Sequence, residues 1–330
     1  MAQPLRFRYS PERWTIERIR RDLLEDLDQN LGATLSHPWY ALNSSFAGRR
    51  FDMDNGDTAL FAWRDDEAYW IGNTETPQAL WRTNKYGFDT VPEAVADWAE
   101  RELLAELYED EPWLAEYESL SRFFLPVLNS KDGRTSARTF FREYATGFPD
   151  ADRTTALTYY DEFLATGVLD PFRHEMAGKL GTSPHVDRTR MAAAMSEFTV
   201  ARILHNAGYQ IEPEIAVSSG HSIDFKATEN GDGHLVEVTR PSRPTHRRAG
   251  TASAAVRDTV GTKLNDQLRV HGGGVTLLVD CSSFTDTEWD RVHSEKPDVG
   301  HRPAVVFRAR PSGSVQGFAS GSVPIELPWI

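Results

Sequence analysis

A chain of 330 residues, 40% of them hydrophobic, is long enough for two or three domains that each bury a core. Its formal net charge of -13 excludes a surface coated in positive potential, so contact with a polyanion has to come from a local patch. The single cysteine, Cys281, excludes an intrachain disulfide, and its setting LLVDCSS reads as the end of a buried strand.

Arginine greatly outnumbers lysine, which occurs only at Lys85, Lys131, Lys179, Lys226, Lys263 and Lys296. With so many acids, this balance resembles that of proteins from salt-loving archaea, where molar salt shortens the reach of self-repulsion to about 3 Å. No apolar run approaches the ~20 residues of a membrane span, and the opening MAQPLRFRYSPERW lacks the apolar core of a secretory signal. The expectation is a cytoplasmic protein with no membrane partner.

In chain order, a helix is expected around Pro11–Leu31, followed by a β-hairpin in which TALFAW and AYWIGNT flank the charged turn RDDE. A third strand falls at ALWRTNKYGF. The segment VPEAVADWAERELLAELYEDEPWLAEY has helical spacing, with Val95, Trp98, Leu103 and Leu107 on its apolar side and acids on a face expected to be solvated. The aromatic residues around Trp63–Trp81 suit either a core or a partner surface.

From Leu120, ARTFFREYA and TTALTYYDEFLATGVLD read as two amphipathic helices separated by the turn TGFPDA. They resemble a helix-turn-helix or winged-helix module. The same pattern also describes a structural connector, and Asp152, Asp161 and Glu162 would weaken phosphate contact. HEMAGKLGTSPHVD shows no periodicity and reads as a linker.

VDRTRMAAAMSEFTVARILHNAGYQI then gives a helix carrying Glu197 and ended by Gly208. IEPEIAVS reads as a strand, and SIDFKAT alternates so that Asp224 and Lys226 share one face while Ile223 and Phe225 take the other. The turn ENGDG leads into HLVEVTR, whose register can set Glu237 opposite Asp224. A helix around Ala254–Val270, the strand VTLLVDC and the strand PAVVFRA follow. HGGGV at His271–Val275 is a glycine turn and no phosphate loop, since no Gly-Lys-Ser/Thr follows it.

This order of elements and acids, E…GY…SIDF…HLVEVT, resembles the restriction-endonuclease-like PD-(D/E)XK superfamily over roughly Val186–Phe307. The resemblance implies an αβββαβ domain with a mixed sheet over 186–330; the spacing of the residues before it reads as an α+β region over 1–119 and a helical connector over 120–185. It also implies that Glu197, Asp224 and Glu237 bind divalent metal. Thr239 departs from the pattern, which usually has lysine there. Lys226, on the face of Asp224, and Lys263, on the following helix, are the candidates to replace it, with Gln267 one turn beyond Lys263 to hold phosphate or water.

Elementary chemistry agrees on the metal: paired carboxylates at a hairpin end attract a hard cation such as Mg²⁺ or Mn²⁺, which takes oxygen ligands. The run TRPSRPTHRR sets Arg240, Arg243, Arg247 and Arg248 directly after the acidic strand, where arginines can grip phosphates. Pairing with the protein's own surplus acids is the alternative. The functional expectation is a metal-dependent nuclease acting on DNA, as a homodimer if it cuts both strands. The alternative is an inactive nuclease fold that serves as a nucleic-acid-binding or regulatory module.

Overall fold

Two stretches of the chain rich in alternating apolar residues build two six-stranded sheets, each covered by helices. The computed structural model describes residues 6–42, 45–74, 76–144, 147–216, 222–244, 250–264, 268 and 274–330. The chain divides into two units, Met1–Ala137 with Gly181–His185 and Arg138–Leu180 with Val186–Ile330. The stretch 120–185 is therefore shared between them.

In the first unit, strand β1 (Phe7–Ser10) precedes α1 (Ile16–Ile19), which passes through a π-helical turn at Arg20–Leu24 into α2 (Glu25–Leu31). The helix starts later than the apolar spacing suggests because the Thr15 side chain accepts the Arg18 N–H at 3.3 Å and caps it. Strands β2 (Thr34–Ser36), β3 (Ala47–Asp52), β4 (Thr58–Arg64), β5 (Glu67–Gly72) and β6 (Lys85–Tyr86) complete an antiparallel sheet of order β2-β3-β4-β5-β1-β6. The expected hairpin is β4–β5. Its sheet packs Phe51, Phe61 and Trp70 against Trp14, Ile19 and Leu23, which accounts for much of the aromatic content as core.

Helices α3 (Glu93–Asp110) and α4 (Glu118–Leu128) follow. The acidic face of α3 is not wholly solvated, contrary to expectation. Glu102 is fully buried, and Glu102 and Glu106 lie 3.7 and 3.0 Å from the buried Arg50 guanidinium, which stacks 4.1 Å over the Trp39 ring. Burial raises the Glu106 carboxyl pKa despite Arg50.

The division between units falls within α5 (Arg134–Glu143). The second unit continues through α6 (Arg153–Leu164), α7 (Arg173–Lys179) and α8 (Arg188–Asn206). Helix α6, the second helix of the expected helix-turn-helix, packs on α8 through a 2.9 Å hydrogen bond between Tyr160 and Thr199. Helix α7 lies in the segment expected to be a linker. It forms because Met176 and Ala177 are buried, a tertiary gain that so short a helix does not announce through periodicity.

The second sheet comprises β7 (Gln210–Ala216), β8 (Ser222–Glu229), β9 (Asp232–Thr239), β10 (Val275–Asp280), β11 (Ala304–Ala309) and β12 (Val315–Ser320), with α9 (Ala252–Lys263) before β10 and α10 (Asp286–Glu295) after it. Its order is β12-β11-β10-β9-β8-β7. Strands β9, β10 and β11 are parallel neighbours and the remaining pairs are antiparallel, so the sheet is mixed. Asn230 and Gly231, both at positive φ, form the two-residue β8–β9 turn and fix the register Phe225↔Val236. One sheet face packs Ile223, Leu277, Val279 and Val306 against Val256 and Val260 of α9 and Trp289 of α10. By register Glu237, opposite Leu277, lies on this same face, and Lys263 of α9 reaches both it and Asp224.

Candidate metal centre

Asp224 lies between the buried Ile223 and Phe225, its own side chain largely buried. The β8–β9 ladder ends at Phe225↔Val236, and beyond it the side chains of Asp224 and Glu237 take over as acceptors. The Asp224 N–H donates to Glu237 Oε2 at 3.2 Å, and the Val238 N–H donates to Asp224 Oδ2 at 2.8 Å. Side-chain carboxylates thus satisfy backbone donors that the ladder leaves behind, and the same bonds fix where the carboxylates point.

On the far side of β8, Glu214 of β7 stands opposite Asp224 and interrupts the pairing between Pro213↔Phe225 and Ile215↔Ile223. Its φ of 56° lies in the left-handed region, which is uncommon for a residue with a side chain. Such local departures from strand geometry re-aim a side chain. Here the Glu214 carboxylate reaches Glu197 of α8 and Asp224, the three offering oxygens within 4.8 Å of one another.

Two lysines enter this cluster. Lys179, the last residue of α7, is ion-paired with Glu197 and Glu214 and lies 3.7 Å from Asp224. Arg190 of α8 donates to the carbonyls of Lys179 and Leu180 at 3.3 and 2.9 Å, which pins the end of α7 in place. Lys263, at the end of α9, lies 2.5 Å from Glu237 and 4.0 Å from Asp224. With all four acids ionised, four carboxylates and two ammonium groups leave a charge of -2, which one divalent cation would neutralise.

Burial and the Asp224 charge push the Glu197 carboxyl up to about 8, against the pull of Lys179. Burial and Asp224 likewise raise Glu237, against Lys263. Burial works against the Lys179 ammonium, but the charges of Glu197 and Asp224 outweigh it and hold its pKa above the ordinary lysine value. Burial also acts on Glu214, yet its hydrogen bond with Lys179 keeps that carboxyl below the usual value. The site is short of positive charge, and hard oxygen donors are what it has to offer.

Of the residues singled out in the sequence, Glu197, Asp224, Glu237 and Lys263 come together. Glu237 sits beside the three-carboxylate cluster and not within it; Glu214 takes that place. Lys226 lies on the Asp224 side of β8, but its stem covers Gly233 toward the hairpin end, and it forms no ion pair among the described residues. Arg240 is not a surface phosphate ligand: it is 8% exposed, lies 3.4 Å from Asp280 and donates to the carbonyls of Ala192 and Gly147. Arg243 is half-buried and held by Glu288 at 3.1 Å. Gln267, Arg247 and Arg248 lie outside the described residues.

Glu214 and Lys179 escaped the sequence reading. For Glu214 a signal existed, because extending the β8 register across to β7 sets it beside Asp224. Nothing local marks Lys179, which arrives through a helix that exists only by packing.

Fold and site together define a mixed α+β protein with two sheets, whose second unit carries a partly buried three-carboxylate cluster able to coordinate a divalent metal. The chain belongs to a family of unknown function (DUF5784), whose pattern matches residues 2–327 and so spans both units. No curated protein matches it. Among the described residues, no helix is long and apolar enough to cross a membrane.

Proposed function

We propose that the second unit is a restriction-endonuclease-like, divalent-metal-dependent nuclease that hydrolyses phosphodiester bonds of DNA. The observation that carries this reading is the convergence of Glu197, Glu214 and Asp224 from a helix and two strands onto one point. The succession α8, three antiparallel strands, α9 and a parallel strand agrees with it.

In this reading Glu197, Glu214 and Asp224 hold Mg²⁺ or Mn²⁺. Bound there, the metal supplies acidification of the attacking water and neutralisation of charge on the scissile phosphate. Glu237 orients the Asp224 segment through its backbone N–H, and Lys263 offers the positive charge that Thr239 cannot, beside Asp224 and Glu237. Cutting both strands of a duplex with one such site per chain calls for a homodimer.

One observation favours a second reading. The Lys179 ammonium lies among all three acids, as a built-in counter-cation would in an inactive nuclease fold used for binding. Incubation with linear, circular, branched and single-stranded nucleic acids in Mg²⁺, Mn²⁺ or EDTA, over a wide salt range, separates the two. Metal-dependent cleavage that disappears in Asp224→Asn supports the nuclease; metal binding with no cleavage of any substrate supports the binding module.

A further inference from the structure

A cavity of about 440 Å³ opens in the second unit, apart from the acid cluster's own residues. Its lining includes Tyr144, Phe148, Arg188, Arg240, Ser242 and Arg243. Three features mark it as more than a surface dent. Arg240 is buried in the wall as an ion pair with Asp280, in which Nε of the one and Oδ2 of the other have no hydrogen-bond partner among the described residues. Arg188 is exposed and, among the described residues of this strongly acidic chain, has no carboxylate partner; its guanidinium stacks 4.3 Å over the Tyr144 ring. The buried Phe148 lies beneath Arg240 at 5.9 Å and adds apolar surface.

The acids at the cavity are already engaged. Glu143 lies 3.5 Å from Arg142, Glu288 holds Arg243, and Asp280 faces Arg240. What remains is a cationic, aromatic hollow whose free charge is that of Arg188. Its volume falls within the ~300–1,000 Å³ of small-molecule sites. A stacked arginine–tyrosine pair presents a flat face on which a base can stack, and the guanidinium edge can donate to phosphate oxygens.

Two elements run from the acid cluster to this cavity. Five residues of α8 separate Ala192, on the cavity wall, from Glu197, about 7.5 Å of helix. Three residues separate Glu237 from Arg240, about 10 Å of extended chain. The cavity and the acid cluster thus draw on the same two elements.

We propose that this cavity is a nucleotide subsite that takes a nucleobase against the Tyr144–Arg188 pair and an adjoining phosphate on Arg188. A base can enter it only from outside a duplex stack, so the substrate class is single-stranded or locally unpaired nucleic acid. The assignment rests on the nuclease reading for its link to chemistry, but the binding it requires is measurable without cleavage.

The test uses the full chain in EDTA and the fluorescence anisotropy of a labelled oligothymidylate. Competitors are thymidine 5′-monophosphate and inorganic phosphate, and the control strand has abasic positions. Tyr144 is half-buried and Arg188 exposed, so Tyr144→Ala and Arg188→Gln spare the core; circular dichroism confirms this. Tyr144→Ala should weaken binding about 5- to 150-fold, the range for a lost base stack. Arg188→Gln should weaken it and lower the salt slope by about 0.7, one phosphate contact on a single strand.

Equal binding of the abasic strand, displacement by inorganic phosphate as effective as by the nucleotide, or variants that match wild type would each overturn the subsite. Metal-dependent cleavage read in parallel separates the two ideas. Absent cleavage with Tyr144-dependent strand binding removes the nuclease and keeps the subsite. Normal cleavage with unchanged dissociation constants in both variants removes the subsite alone.

Discussion

Replacing Lys179 by methionine removes a positive charge from among three carboxylates while keeping much of the apolar stem. Lys179 is paired with Glu197 and Glu214 and lies 3.7 Å from Asp224; its side chain and that of Glu197 are only 16% and 15% exposed. A pair at ~4 Å is worth about 4 kcal/mol at an effective dielectric of 20. Removing one partner of a buried pair typically costs about 3–5 kcal/mol, because the remaining charge is stranded. Lys179→Met should therefore unfold about 6–20 °C earlier than wild type in EDTA, at about 2–4 °C per kcal/mol for a unit of this size. A divalent ion should restore most of the loss, since it supplies the missing charge and binds only the folded state; at one hundred times its dissociation constant it contributes about 2.7 kcal/mol. The assay is thermal unfolding of both proteins in EDTA and in a Mn²⁺ series. A variant as stable as wild type in EDTA, or one that gains no more from Mn²⁺ than wild type, would refute the assignment of Lys179 as counter-cation of a metal site.

The remaining predictions concern charge at buried positions. The Glu197 carboxyl, pushed up to about 8 by burial and Asp224, is favoured in its protonated form when folded. Its contribution to metal-free stability is thus complete below the unfolded value near about 4.3 and fades as pH rises through about 8. Urea midpoints in EDTA should fall across that window for wild type and less steeply for Glu197→Gln, and parallel profiles would contradict the burial argument. Metal affinity should rise over the same window, because binding releases the proton. In the first unit, Arg50→Met strands the fully buried Glu102 and should cost about 3–5 kcal/mol in urea unfolding, with a change under 1 kcal/mol counting against a charge-paired core.

The parts of the fold legible in the sequence are those where local pattern and tertiary structure agree. The alternation of SIDFKAT and the Asn230-Gly231 turn give the β8–β9 hairpin and its register, and with it the meeting of Asp224 and Glu237. Helix α8 is legible because its apolar spacing is capped by Asp187 and closed by Gly208. Helix α10 is marked in the sequence by its Thr285–Glu288 capping box, whereas strand β12 is defined by its antiparallel pairing on β11.

Other features depend on distance across the fold. The basic run after β9 suggested a phosphate grip, yet Arg240 turns inward because Asp280, at the end of the neighbouring parallel strand, lies there to receive it. Composition cannot distinguish an arginine that meets solvent from one that meets a buried aspartate. The acidic face of α3 illustrates the same limit, since Glu102 and Glu106 have their partner on β3, some fifty residues earlier in the chain. Glu214 required reading a third strand into the register, and its left-handed φ has no mark in the sequence EPEIA.

The central claim is that Glu197, Glu214 and Asp224 form one divalent-metal site. Titration of the metal-free protein with Mn²⁺, following the loss of the free-ion electron paramagnetic resonance signal, tests it directly in wild type, Glu214→Gln and Asp224→Asn. One tightly bound ion per chain in wild type, weakened at least about tenfold in both variants, is the result expected. Binding absent from wild type, or unchanged when Glu214 is replaced, would contradict the site.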